Sequence, residues 1–277
     1  MLAGLDIDLP TLAAWLAGIG VAGIAGGILA GLLGVGGGIV IVPVLYHLLD
    51  VMGVDSSVRM KVAVATSLST IVATSAVSLS SHRKRNAIDG ALLRSWGVPI
   101  FLGVVAGTVL GGYADGYVLT VIFAVVAFAV AMHMLLRRDG AKLADGFPNA
   151  TVKAVSGFFV GAVSALMGIG GGTLSVPILS AFGFDIRRAV GTASAIGFII
   201  AIPGTLGYIY AGLGAPGLPP NSLGYVNVLA ALILVPLTMS TAPLGARMAH
   251  AIPRQTLQLC FALFLLITSA RMFYDLF

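Results

Sequence analysis

Apolar runs fall at about 11–33, 39–54, 61–80, 91–113 and 117–136. After a polar break they recur at about 153–168, 172–184, 189–210, 226–246 and 255–274. The hydrocarbon core of a bilayer takes roughly 20 residues of helix, so eight of these runs are long enough to span it. The runs at 39–54 and 172–184 are short, and each follows a glycine cluster. Segments of that length are either tilted short spans or re-entrant half-helices. The pattern predicts an all-α, polytopic transmembrane helical bundle with eight full spans plus two short or re-entrant helices after Gly-rich breaks.

The two sets of five runs correspond, and particular residues show why. Gly34, Gly36, Gly37 and Gly38 precede Pro43, and Gly168, Gly170, Gly171 and Gly172 precede Pro177, each 134 positions later (34 to 168, 43 to 177). The stretch Ala63-Val64-Ala65-Thr66-Ser67 is matched by Ala189-Val190-Gly191-Thr192-Ala193-Ser194, and Leu110-Gly111 by Leu244-Gly245. Chance glycine clusters would not carry prolines and threonines with them, so the chain reads as a tandem duplication: a first transmembrane repeat at 1–137, a cytoplasmic linker at 138–152 and a second repeat at 153–277. Loop charge sets their relation. Placing His82-Arg83-Lys84-Arg85 in the cytoplasm puts every Lys and Arg except Arg59, Lys61 and Arg271 on that side, as cytoplasmic loops prefer. Both termini then face the periplasm. An odd number of segments per repeat inverts the second against the first, an arrangement common in secondary transporters.

Composition closes off other classes. Of 277 residues, 58% are hydrophobic and 9% charged, too few charges to cover a soluble globule. The net charge of +5 reflects cytoplasmic loops rather than nucleic-acid binding. The N-terminus has no basic stretch of the kind that opens a signal peptide, so its first apolar run reads as a retained helix. Cys260, the single cysteine, reads as a small buried hydrophobe.

Candidate chemistry centres on the glycine clusters. Each glycine costs about 1 kcal/mol in a helix relative to alanine, and a broken helix frees backbone groups that lipid cannot satisfy. Such breaks persist where they line a polar cavity or bind a ligand. Helices starting at 39 and 172 would aim their first N–H groups and positive dipole ends at the breaks, which suits an anion. The alternative is close helix packing through small residues. Thr66, Ser67, Thr192 and Ser194 could donate hydroxyl hydrogen bonds to the same anion, although Ser and Thr also bond to carbonyls of their own helix. His47 is a candidate for proton coupling. A phosphate loop ending in GK[ST], HExxH, CxxC and clustered carboxylates are all missing from the sequence, so it offers no motif for ATP use, for a metal or cofactor, or for membrane-enzyme chemistry.

The stretch Gly31 to Pro43, its counterpart Leu166 to Pro177, and Ala189 to Ser194 resemble the signature of the TauE/SafE family over nearly the whole chain. The resemblance implies a bacterial inner-membrane permease, without a cofactor, that exports sulfite, sulfoacetate or a related organosulfonate down or coupled to an ion gradient. Uptake of thiosulfate or a sulfonate by the same scaffold, or a non-transporting membrane assembly partner, are the alternatives. The partners this reading implies are the small sulfur-containing anion and the lipid bilayer, with a second copy in a homodimer as a further option.

Overall fold

The computed structural model describes residues 9–33, 37–84, 86–136, 143–248 and 254–275. Among them are ten helices: α1 (Leu9–Leu33), α2 (Gly38–Val51), α3 (Ser56–Lys84), α4 (Gly90–Tyr113), α5 (Gly116–Leu136), α6 (Ala150–Met167), α7 (Gly172–Ala181), α8 (Ile186–Ala211), α9 (Val228–Met248) and α10 (Arg254–Tyr274). A two-residue hairpin, β1 (Ser222–Leu223) and β2 (Val226–Asn227), lies between α8 and α9. The protein is an all-α membrane bundle. Six helices (α3, α4, α5, α6, α8 and α9) are long and apolar enough to cross a bilayer. Helices α1 and α10, which the sequence also marks as spans, carry the apolar stretches Leu16–Leu29 and Leu259–Tyr274 among the described residues.

The two short runs form α2 and α7, of 14 and 10 residues. At 1.5 Å per residue these reach about 21 and 15 Å, well short of a 30 Å hydrocarbon core. They end alike. Gly53 and Gly183 take left-handed backbone conformations, φ 71° and 76°, and the next amides turn back to Leu49 and Leu179, each at 3.0 Å, closing Schellman-type caps. Asp55 and Asp185 follow and cap the next helices, accepting from Ser57 and from Arg187 and Arg188.

Packing runs across the chain rather than along it. Helix α4 lies along α6 and α1 along α9, while α3 and α8 pair at the centre and α5 meets α10. Thus the fourth helix of each set of five packs on the first helix of the other. Glycine makes these contacts possible: a Cβ at Gly103 or Gly107 would strike the α6 backbone at Phe158 or Ala162, and one at Gly161 would strike Ile100 O. On the other pair, Gly27 faces Thr238 and Thr241, and Gly245 faces Ile28 O. Such backbone approach suits association in lipid, where no hydrophobic effect drives helices together. Trp96 reinforces α4–α6, its Nε1 donating to Lys153 O at 2.9 Å.

Cys260 is exposed on α10, contrary to the buried role its apolar surroundings suggest. In a membrane protein an apolar neighbourhood marks lipid-facing positions as readily as core ones.

Candidate functional site

The innermost layer is built by α3 and α8 with the starts of α2 and α7. Gly34 and Gly36 lie outside the described residues. Gly37 has φ 72° and caps α2 without a side-chain bond, and Gly38 opens that helix. Gly168 ends α6 with φ 66°, Ile169 and Gly170 continue the break, and Gly171 and Gly172 start α7. The two breaks touch. A Cβ at Gly38 would stand 2.5 Å from Gly168 O and 2.9 Å from Ser67 Oγ. Ser67 Oγ donates to Gly168 O at 2.7 Å, so α3 ties the second break to the first. Gly171 rests on α8, where a Cβ would meet Ile196 Cγ2 at 2.6 Å and Gly197 N at 2.9 Å. Small size is therefore used for contact at Gly38, Gly168 and Gly171.

Pro43 and Pro177 occupy matching places inside α2 and α7. A proline has no N–H, so the carbonyl four residues earlier, on Ile39 and Thr173, loses its helical donor. No side chain caps the first turn of either helix. Backbone polarity thus accumulates at both breaks.

The hydroxyls divide into three groups. Ser69, Thr70, Thr74 and Ser194 bond to carbonyls one turn earlier in their own helices, the local alternative for such side chains. Thr66 and Thr192, both fully buried, instead accept backbone N–H groups from distant loops: Asn227 N to Thr66 Oγ1 at 2.9 Å, and Asp89 N to Thr192 Oγ1 at 3.0 Å. Their own hydroxyl hydrogens have no acceptor among the described residues. The third group went unrecognised in the sequence. Ser164 in the last turn of α6, and Thr173 and Ser175 in the first turns of α7, are buried with unpartnered hydroxyl oxygens. The signal for two of them was their place directly after the second glycine cluster.

Near the ends of α3 and α8 charge returns. Lys61, nearly buried, donates to Gly112 O at the end of α4 and lies 5.3 Å over the Tyr225 ring. Arg59 pairs with Asp50 at 2.7 Å. His47 Nδ1 sits 3.5 Å from Asp275 Oδ2, while Arg271 Nε stands 3.4 Å from the other oxygen. His47 thus belongs to an ion cluster joining α2 to α10. A cavity of about 480 Å³ opens beside the α4 and α6 N-termini, bordered by Asp89, Ser95, Phe147, Asn149, Lys153 and Phe184. Groups of three or more His, Cys, Asp or Glu able to hold a metal are missing among the described residues.

The family model described as sulfite exporter TauE/SafE matches residues 19–272. The chain belongs to the TauE/SafE family. A Haemophilus influenzae protein named a probable membrane transporter is 36% identical over 91% of this chain and 95% of its own length. Proteins of the same description from Methanocaldococcus jannaschii and Bacillus subtilis are 28% and 27% identical, covering 84% and 92% of this chain and 86% and 96% of their own lengths. No solved structure matches significantly. The glycine breaks and both central threonines fall within the region the TauE/SafE model matches, and the protein is a multi-pass membrane transporter of that family.

Proposed function

We propose that this transporter is a secondary carrier for a small sulfur oxyanion such as sulfite, sulfoacetate or a related sulfonate, exporting it across a bacterial inner membrane. The observation that carries this reading is the set of buried, unpartnered hydroxyls, Ser164, Thr173 and Ser175, around a helix break. A buried hydroxyl without a partner costs about 1–3 kcal/mol, and a ligand with several acceptor oxygens removes that cost. The uncapped first turn of α7 adds N–H donors and a positive dipole end. Thr66 and Thr192 have hydroxyl hydrogens left to donate. The family's description supplies sulfite as the substrate class.

In this account the anion lies against the Gly170–Gly172 break, with Gly37, Gly38, Ser67 and Ser194 around it. The Gly38–Gly168 and Gly171–Gly197 contacts must part to admit it. Residues 1–137 and 153–277 act as two inverted halves joined by 138–152, with eight spans and two half-helices and both termini in the periplasm. The cross-packing of α4 on α6 and α1 on α9 and the matched caps of α2 and α7 support that arrangement. The cavity beside Lys153 serves as the cytoplasmic vestibule. His47, paired with Asp275, is the proton-coupling group.

Replacement of the unpartnered hydroxyls tests this. Ser175→Ala, Ser164→Ala and Thr173→Val each remove a donor that has no protein partner. The empty protein should keep or slightly gain stability, while sulfite binding, read by calorimetry on the purified protein, weakens about fivefold to tenfold per hydroxyl. Unchanged affinity in all three variants would refute the site.

A further inference from the structure

The carrier reading leaves open what closes each end of the path, and two hydrogen bonds answer it. Thr66 on α3 accepts the backbone N–H of Asn227, and Thr192 on α8 accepts that of Asp89. The two donors are built alike. Asp89 caps α4 with its side chain, accepting from Ala91 and Leu92, and Asn227 Oδ1 accepts from Ala230 in the first turn of α9. Each is thus the residue at which a loop turns into a helix, and its backbone N–H is held by a threonine of a central helix. Asp89 follows α3 by a short connection, while its threonine lies on α8. Asn227 follows α8 by a longer one, while its threonine lies on α3.

Both loops rest on those helices over more than one residue. Gly191, just before Thr192, is pressed against Ala87 O. At the other end, Tyr225 N donates to Tyr208 O at 3.3 Å, and Gly224 sits against Ile209 O with φ 55°. The 86–89 and 212–227 loops therefore plug opposite ends of the α3–α8 pair.

We infer that Thr66–Asn227 and Thr192–Asp89 are the two latches of the transport cycle, one for each face, and that both are closed in this structure. The inference rests on the carrier reading and adds the positioning residues Asp89 and Asn227 to it. A hydroxyl that accepts an N–H and donates its own hydrogen is strengthened in both roles at once. An anion that reaches Thr66 tightens the latch at that end, and one that reaches Thr192 tightens the other, so each latch answers to the anion at its own end of the path. With the anion gone, either latch opens alone. Because the donors are backbone groups, altering the threonines breaks the bonds while leaving the loop backbone intact.

The test uses the full-length protein with Cys260→Ala, which removes the exposed native thiol, and Ser75→Cys as a buried reporter beside Gly197. Labelling by a membrane-impermeant maleimide is measured from each side of vesicles of either orientation. Thr66→Val should speed labelling from the face carrying 212–227 roughly tenfold and leave the other face unchanged. Thr192→Val should do the opposite, as expected for losing one buried hydrogen bond. Thr66→Ser and Thr192→Ser keep the acceptor and should restore the parent pattern. If a valine variant does not insert, the alanine variant removes the same acceptor with less bulk. Equal acceleration on both faces, or none, overturns the latch. Weakened sulfite binding without any sided change in labelling would overturn it while leaving the anion site standing. Sided labelling in a protein that binds no anion would establish the latch and refute the carrier reading.

Discussion

Replacing Gly168 with alanine separates the demands placed on the second break. The residue has φ 66°, a conformation that costs an L side chain roughly 1–2 kcal/mol. Its Cβ would stand 2.8 Å from Val64 Cα and 2.9 Å from Val64 O, backbone atoms that cannot rotate away. Overpacking of that kind costs about 1–3 kcal/mol. Any shift that relieves it pulls Gly168 O from Ser67 Oγ, losing about 1 kcal/mol more. The expected destabilisation is about 3–6 kcal/mol. Gly53→Ala isolates the first contribution, because Gly53 has φ 71° and open space where a Cβ would go. It should cost only about 1 kcal/mol. Denaturation in mixed micelles, followed by tryptophan fluorescence, measures both. If Gly168→Ala and Gly53→Ala cost the same, the close approach of α3 to the break is not what requires glycine there.

Three further outcomes follow. Trp96→Phe removes the bond to Lys153 O and should cost about 2 kcal/mol in the same micelles, followed by circular dichroism because the variant loses a tryptophan. His47→Gln should abolish any dependence of flux on an imposed pH gradient while leaving downhill flux measurable, if the His47–Asp275 pair carries the proton. Asp55 lies in the loop before α3, and hydrogen bonds from the Ser57 hydroxyl and amide hold its carboxyl below the ordinary carboxylate value. A depressed value contributes stability present above the unfolded-state value near 3.8 and lost as pH falls below it. Asp55→Asn should therefore lower stability slightly at neutral pH, where the ionised carboxyl contributes, and flatten the acid limb of the stability profile below about pH 4.

The breaks and the short helices were legible because glycine and proline act locally. Gly37, Gly168, Pro43 and Pro177 interrupt or bend a helix wherever it packs, and the recurrence of the glycine–proline pattern 134 positions on doubled the signal. The roles of Thr66 and Thr192 were not legible. Their repetition marked them, but their partners, Asn227 and Asp89, are met only when the chain folds back. The sequence also could not foresee that Gly38 and Gly168 meet each other, or that His47 is matched by Asp275 at the far end of the chain. Cys260 shows the same gap from the other side: hydropathy places it in the membrane but does not say which face of α10 it occupies.

The most direct test of the carrier account is sulfite flux in proteoliposomes containing the purified protein, beside protein-free vesicles and vesicles containing the Ser175→Ala variant. The account predicts saturable flux for the parent protein and a higher half-saturating sulfite concentration for the variant. Sulfite movement no faster than in protein-free vesicles, with the protein folded and inserted, would contradict it.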